Sequence, residues 1–127
     1  MASDHAPHTL SDKRNGSPGM PHLDTLGAFA GWLLHDCCFT ATRIAEVLST
    51  APSRKLAANL KRQHGTIEPG SHASFTVLDL ATSTVVDEGG IKGRGPLKTL
   101  CGWSPFIGAT FSAAVRTTVV SGKKYSF

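Results

Sequence analysis

Residues 3–9 read Ser3-Asp4-His5-Ala6-Pro7-His8-Thr9. This stretch brings one carboxylate and two imidazoles within five residues, and such side chains act as metal ligands and proton-transfer groups. Pro7 fixes its own backbone φ angle, which stiffens the loop and helps to hold His8 in one direction. Taken by its composition, the stretch is typical of a solvated polar tail. Its value as a candidate site therefore depends on the later segments of the chain.

Apolar periodicity predicts helices after this segment. Residues 1–22 are rich in proline and glycine and are expected to form loop. A helix is expected to begin near Leu23 and Asp24, with Asp24 as an acidic residue of its first turn. A second helix is predicted from Ala41 to Ser49, capped by Thr40, and a third from Pro52. The apolar stripes of the first two helices are Leu23, Leu26, Phe29, Ala30, Leu33 and Leu34, and then Ile44, Val47 and Leu48.

The second half of the chain reads as strands. Residues 66–70 are predicted to be a short extended piece that ends in a Pro-Gly turn. Strands are predicted at 75–79, at 84–86 and across the β-branched run 110–120, with an irregular glycine-rich stretch at 89–102 between them. Gly122-Lys123 is expected to turn the chain into a final hairpin strand. Helices therefore come first and strands last, with a boundary near residue 64.

Length and composition exclude several classes of protein. A chain of 127 residues cannot hold a complete (β/α)₈ barrel, which needs about 250. The longest mostly apolar stretch, Leu26–Leu34, is far short of the roughly 20 residues of a membrane span. Three cysteines, two of them adjacent, indicate neither a disulfide framework nor a zinc finger. The net charge of +4 lies in scattered pairs, which does not predict a nucleic-acid surface. A cytoplasmic protein that binds neither nucleic acid nor membrane is expected.

The order of the motifs resembles the dihydroorotase family of the amidohydrolase superfamily. Asp4–Thr9 is followed by Lys13 and then by Gly19–Thr25, which matches the family's Gly-x-Pro-x-x-(Asp/Glu)-Thr helix start. The matches then continue in family order to the C-terminus, through Ala51-Pro52, Gly65–Ala73, Cys101–Gly108 and Thr118–Tyr125. Because these segments run through essentially the whole chain, the resemblance is far more specific than one short motif.

This resemblance implies an α/β fold that is only part of a larger one. The chain would supply the C-terminal part of a metal-dependent-hydrolase (β/α)₈ barrel together with the C-terminal strands of a small composite β-domain. Residues 1–64 are then expected to hold the end of the last barrel strand and the helices after it. Residues 65–127 are expected to form a segment of the small β-rich domain, and residues 1–3 the tail of the barrel strand.

The resemblance also implies a reaction and the residues for it. Dihydroorotases hydrolyse the cyclic amide of dihydroorotate reversibly to N-carbamoyl-aspartate, in pyrimidine biosynthesis, with one or two zinc ions. Asp4 stands where the family has a metal-binding aspartate that transfers protons, so it is the expected catalytic residue and metal ligand. His8 stands where a histidine contacts the substrate carboxylate, while Pro18 and Gly19 stand where backbone groups face the pyrimidine ring.

Departures from the family pattern leave three interpretations open. The other metal ligands of the family have no counterpart in this chain, and one aspartate cannot hold a catalytic zinc ion, which needs about three protein ligands. The chain could be the C-terminal portion of a dihydroorotase, inactive alone and completed by a missing N-terminal half or a homo-oligomer partner. It could instead be a non-catalytic remnant or assembly module. Finally, it could belong to another cyclic amidohydrolase of the allantoinase or dihydropyrimidinase type, although a histidine at position 8 is usually lacking there.

Overall fold

A computed structural model describes all 127 residues as a chain of short helices followed by two small antiparallel sheets. The predicted order, helices first and strands last, is confirmed. The helices are α1 (Leu10–Arg14), α2 (Leu26–His35), α3 (Ala41–Ala45) and α4 (Ala51–Leu56). The strands are β1 (Phe75–Asp79), β2 (Thr84–Asp87), β3 (Gly90–Ile91), β4 (Thr110–Phe111), β5 (Ala114–Val120) and β6 (Lys123–Ser126).

Helix α1 corrects the expectation that residues 1–22 are loop throughout. The hydroxyl of Thr9 accepts a hydrogen bond from the backbone N–H of Asp12, and the Asp12 carboxylate accepts one from the backbone N–H of Thr9. This reciprocal capping box satisfies two of the donors that a helix start leaves free. The Thr9 hydroxyl also donates to the Asp12 carboxylate, and this bond, together with the one from the Thr9 N–H, lowers the pKa of Asp12. Glycine and proline on either side of this short segment hid a local signal that was present in the sequence.

Helix α2 begins at Leu26, two or three residues later than predicted. Leu23 is 58% exposed and takes no part in the buried stripe. Asp24 is not a first-turn residue, because its carboxylate accepts hydrogen bonds from the backbone N–H groups of Lys98 and Thr99 at 2.9 and 3.0 Å. The carboxylate thus ties the start of α2 to the glycine-rich stretch, and the chain becomes helical only after this connection.

The second and third predicted helices form one uninterrupted helical stretch. The hydroxyl of Thr40 accepts from the N–H of Arg43 and caps α3, as predicted. A π-helical turn, Glu46–Thr50, then joins α3 to α4, and a 3₁₀ turn, Ala57–Asn59, ends the stretch. Pro52 explains the π turn, since it has no N–H to donate and its ring crowds the carbonyl four residues earlier. The backbone widens just before it, and the N–H of Ala51 bonds the carbonyl of Glu46.

The strands pair in two sheets with the orders β1-β5-β6 and β3-β2-β4. The single predicted strand 110–120 is two strands, β4 and β5, which belong to different sheets. The interruption lies at Ser112-Ala113, where the Thr84 hydroxyl donates to the Ala113 carbonyl at 2.7 Å and replaces a strand partner. The final hairpin turns at Ser121-Gly122 rather than Gly122-Lys123, because these two residues have φ angles of +52° and +82°.

The predictions for residues 66–70 and for the glycine-rich stretch are confirmed in part. The Pro69-Gly70 turn is present, with the N–H of Ser71 bonded to the carbonyl of Glu68 at 3.1 Å. The residues before it make bends rather than an extended strand. The glycine-rich stretch is mainly irregular, as expected, but it contains the short strand β3.

The core lies between α2 and the strands. Gly27 and Gly31 allow this close packing, since a Cβ at Gly27 would meet the Val115 side chain at 2.4 Å and one at Gly31 would meet the Ala113 Cβ at 2.1 Å. The apolar centre is a small cluster of three buried residues, Ala28, Val86 and Phe111. The partly buried side chains that pack against it are Phe29, Trp32, Phe106 and Ala109.

Much apolar surface stays outside this core. Only 14 of the 127 residues are buried, and the predicted stripe of the second helix, Ile44, Val47 and Leu48, is only partly covered. The exposed large apolar side chains include Leu56, Ile67, Phe75, Val77 and Phe127. Apolar surface on this scale favours association with further protein.

Candidate active site

The Asp4 segment and the loop before α2 run side by side. The N–H of Met20 donates to the carbonyl of Asp4 at 3.3 Å, and the N–H of Ala6 donates to the carbonyl of Met20 at 3.0 Å. His5 and Met20 form a parallel bridge between the two segments. The structure therefore brings together two of the residues singled out from the sequence, Asp4 and Gly19, and Pro18 directly precedes Gly19 in the same loop.

Gly19 lies so close to the Asp4 segment that a residue with a side chain would not fit there. Its φ angle is +76°, and a Cβ there would lie 2.5 Å from the Ala6 Cβ, 3.1 Å from the Asp4 carbonyl oxygen and 3.5 Å from the Asp4 Oδ2. A side chain would push the loop away from the carboxylate of Asp4. The glycine thus sets the distance between the two halves of the candidate site.

Lys13 fixes the conformation of the same loop. Its ammonium group donates to the carbonyl of Ser17 and to the carbonyl of Gly19, the latter at 2.6 Å. Two charge-assisted hydrogen bonds from one side chain hold the loop folded back over the end of α1. The sequence placed Lys13 in the motif but gave it no role, because the two acceptors are backbone atoms.

Asp4 itself has an unusual backbone. Its φ angle of +49° is in the left-handed region, where aspartate and asparagine are the most common residues after glycine. The residue is exposed, and no hydrogen bond or ion pair within the chain engages its carboxylate. The carboxylate is therefore available to a substrate, a metal ion or a further segment of protein.

His5 anchors the segment and so differs in role from Asp4. The Nδ1 atom of His5 accepts hydrogen bonds from the backbone N–H groups of His22 and Leu23, at 3.0 and 3.3 Å. In the neutral ring this leaves the proton on Nε2. His5 thus joins the Asp4 segment to the residues that precede α2.

His8 is exposed, and its backbone carbonyl is hydrogen-bonded to a residue far away in the sequence, Trp103. The indole N–H of Trp103 donates to the carbonyl of His8 at 2.8 Å. The segment 101–108, one of those that resemble the family, thereby reaches the candidate site. The imidazole of His8 makes no hydrogen bond within the chain and is free to contact a ligand.

His22 is a buried histidine that sequence reasoning treated as an isolated residue. It is 6% exposed, and its ring packs against Phe29 and Phe106 at centroid distances of 5.3 and 5.1 Å. Burial lowers the pKa of His22, and the nearby His5 lowers it further, whereas hydrogen bonding with the Ser3 backbone acts in the opposite direction. Its Nε2 atom has no hydrogen-bond partner. The lowered pKa thus favours the neutral form of His22, whose ring packs against the aromatic core next to the candidate site.

Replacing His22 with phenylalanine is expected to reduce the loss of stability in acid. Below about pH 6.5 the unfolded chain protonates this histidine more readily than the folded chain, so the free energy of unfolding falls as the pH falls. His22→Phe removes this contribution, while His35→Gln, at an exposed histidine, keeps it. Urea titrations at pH 7.5 and 5.5 measure the difference. An equal drop in His22→Phe and the original chain would show that His22 titrates normally.

A zinc ion is implied by the resemblance, and the residues of this chain do not by themselves fit one. No group of three or more histidine, cysteine, aspartate or glutamate side chains is placed to hold a metal ion. A catalytic zinc site needs about three protein ligands and an open position. Asp4 could supply one of these ligands, and the others would have to come from residues outside this chain.

Sequence comparison with known proteins tests the resemblance to dihydroorotases. No protein-family model matches the chain. The dihydroorotase of Archaeoglobus fulgidus is 36% identical over 108 residues, which are 85% of this chain and 25% of that protein. The dihydroorotases of Syntrophus aciditrophicus and Pyrococcus furiosus are 31% and 29% identical, and each match covers 97% of this chain. The chain resembles the C-terminal portion of dihydroorotases.

The match to dihydroorotases has a limited extent. The chain spans about a quarter of the length of these relatives, from 25% to 28% of each of the three proteins. The longer matches cover nearly all of this chain, so the similarity extends over both its helices and its strands. As a separate finding, no helix of the chain is long and apolar enough to cross a membrane.

Proposed function

We propose that this chain is the C-terminal portion of a cytoplasmic dihydroorotase of pyrimidine biosynthesis, and that it is inactive alone. Residues 1–64 would complete a (β/α)₈ barrel, and residues 65–127 would form part of its small β-rich domain. The exposed apolar side chains of α4 and β1 support this proposal, because they offer surface that a missing N-terminal half could cover. The similarity to dihydroorotases over nearly the whole chain supports it independently.

The observation that carries the proposal is the approach of Gly19 to Asp4. In the family that the chain resembles, the aspartate and the loop face the same substrate. Here a Cβ on Gly19 would lie 3.5 Å from Oδ2 of Asp4, so a ring seated on the backbone of Pro18 and Gly19 would reach the carboxylate. This proximity, between residues that are 15 positions apart in the sequence, supports a shared role.

Asp4 would act as the proton-transfer group. Hydrolysis of the cyclic amide adds the oxygen of water to the ring carbonyl carbon and breaks the C–N bond. The Asp4 carboxylate would take a proton from the attacking water and deliver it to the leaving nitrogen, and the ring opens to N-carbamoyl-aspartate. We propose zinc as the cofactor on the strength of the resemblance, with Asp4 as the ligand that this chain contributes.

His8 would recognise the substrate carboxylate. The imidazole is exposed, unengaged and held at its backbone by Trp103, so it can reach outward without losing a contact of its own. A donor at this position suits dihydroorotate, whose ring carries a carboxylate. Ring substrates of the allantoinase or dihydropyrimidinase type would gain less from His8.

A non-catalytic assembly module is the alternative, and one observation favours it. The chain holds no cluster of metal-ligating side chains, so nothing within it requires a catalytic role. In that case the apolar surface would bind another protein, and the Asp4 segment would be a surface loop. The two functions differ in whether Asp4 and His8 affect turnover once the chain is completed.

The test uses a fusion protein. The portion of the Syntrophus aciditrophicus dihydroorotase that precedes its match to this chain is joined to the chain at residue 1. The fusion is then assayed for consumption of dihydroorotate, and of dihydropyrimidine and allantoin as the competing rings. Turnover that is highest on dihydroorotate is expected. A folded, zinc-loaded fusion without turnover of dihydroorotate would favour the assembly module.

Replacing His8 with alanine in this fusion is expected to lower kcat/KM for dihydroorotate by about 10- to 150-fold, because one hydrogen bond to a charged group is worth about 1.5–3 kcal/mol. The zinc content is expected to stay unchanged, since His8 is proposed to contact substrate and not metal. His35→Ala, at another exposed histidine, is the matched control. Loss of zinc in His8→Ala would overturn the assignment.

A further inference from the structure

A second concave site lies away from Asp4, between the end of α4 and the residues that lead to β1. It is a cavity of about 500 Å³ whose lining includes Arg54, Lys61, Arg62 and His64, and no carboxylate lines it. The sequence showed these basic residues as scattered pairs. The fold gathers three permanent cations around one cavity.

Charge compensation at this cavity is incomplete. Arg54 forms an ion pair with Glu46, which lies outside the lining. Lys61 and Arg62 have no ion-pair partner within the chain. Two unpaired cations in the lining of a cavity without acidic residues create a positive potential that attracts anions.

Neutral hydrogen-bonding groups line the same cavity. The side chains of Ser53, Gln63 and Thr66 lie in its wall, and Gln63 donates to the Thr66 hydroxyl at 3.2 Å. The Ser53 hydroxyl makes no hydrogen bond within the chain. Hydroxyl and amide donors beside two cations are groups that bind phosphate oxygens.

The wall of the cavity is fixed by Gly65. Its φ angle is +82°, and a Cβ there would lie 2.7 Å from both Cβ and Oγ of Ser53. The Thr50 hydroxyl donates to the carbonyl of Gly65 at 2.9 Å and pulls the loop onto the helix. The cavity is therefore formed before any ligand binds, which lowers the entropy cost of binding.

We propose that this cavity binds a small soluble molecule that carries a diphosphate group. Its volume lies in the range of about 300–1,000 Å³ that is typical of small-molecule sites. A nucleic acid fits less well, because its backbone needs a stripe of cations, and the basic pair Lys123-Lys124 lies on the separate strand β6. The proposal does not depend on dihydroorotase activity, since it uses none of the residues assigned to that function.

Isothermal titration of the full 127-residue chain with inorganic pyrophosphate tests the proposal, at about 20 mM salt where screening is weak. One site per chain is expected. Lys61→Gln and Arg62→Gln are each expected to weaken binding by about 10-fold, as the loss of one charge-assisted contact. Lys124→Gln removes the same charge from β6 and is expected to change the affinity by less than about twofold, because it lies outside the cavity.

Chemical-shift mapping of the original chain keeps the test valid if a variant folds poorly. Pyrophosphate is expected to shift the amide signals of residues 53–66 and to leave those of the Asp4 segment unchanged. The proposal would be overturned by the absence of saturable binding, by equal weakening in Lys124→Gln, or by shifts spread over all lysines. It would also be overturned if a single-stranded oligonucleotide of similar charge displaced pyrophosphate at equal concentration.

Discussion

Replacing Asp4 with asparagine is expected to lower the turnover of dihydroorotate by the fusion protein at least about 10²- to 10⁴-fold, the usual contribution of a positioned acid–base group. The amide can neither accept the proton of the attacking water nor return it to the leaving nitrogen. For that reason the synthesis of dihydroorotate from N-carbamoyl-aspartate is expected to fall equally. Initial rates in both directions measure the effect.

The substitution is well suited to this question because it leaves the backbone unstrained. Asp4 has a positive φ angle, and asparagine tolerates that conformation as well as aspartate does. Asp36→Asn, at an exposed carboxylate after the end of α2, serves as the matched control and is expected to keep full activity. Full activity in Asp4→Asn would remove Asp4 from the chemistry.

Replacing Phe111 with alanine is expected to give the largest loss of stability, about 3–5 kcal/mol, as for other buried phenylalanines. Phe111 is 5% exposed, and its ring meets those of Phe106 and Phe29 edge-on at 5.4 and 6.3 Å. Small domains have a total stability of about 5–15 kcal/mol, and this chain has a small core. The variant is therefore expected to be largely unfolded at 37 °C.

Phe127→Ala removes the same side chain from an exposed position and is the control for Phe111→Ala. Phe127 is 61% exposed, so its loss is expected to cost less than about 1 kcal/mol. Urea titrations followed by far-ultraviolet circular dichroism give both values. Equal losses in the two variants would mean that the cluster around Val86 and Phe111 does not form the core.

Local signals in the sequence predicted much of the fold. The periodicity of α2, the Thr40 cap and the β-branched strands β1 and β5 depend on neighbouring residues, and all are present. Long-range contacts explain the differences. Asp24 is drawn out of the helix by the backbone of residues 98 and 99, and the strand at Ala113 is broken by the hydroxyl of Thr84. A linear pattern does not contain such partners.

The candidate site was likewise predictable only in part from the sequence. The motif indicated Asp4, His8, Pro18 and Gly19, and the structure adds how two of them are held: Gly19 by Lys13 and His8 by Trp103. Lys13 is close in sequence, but its acceptors are backbone carbonyls, which no residue type reveals. Trp103 is 95 positions from His8, so only the folded chain shows the link.

Complementation in trans tests the central claim most directly. The N-terminal portion of the Syntrophus aciditrophicus dihydroorotase is prepared alone, and the rate of dihydroorotate hydrolysis is measured with increasing amounts of this chain. The account predicts no turnover by either part alone, and turnover that rises to saturation with the original chain but not with Asp4→Asn. A stable complex without turnover, or equal turnover with Asp4→Asn, would contradict it.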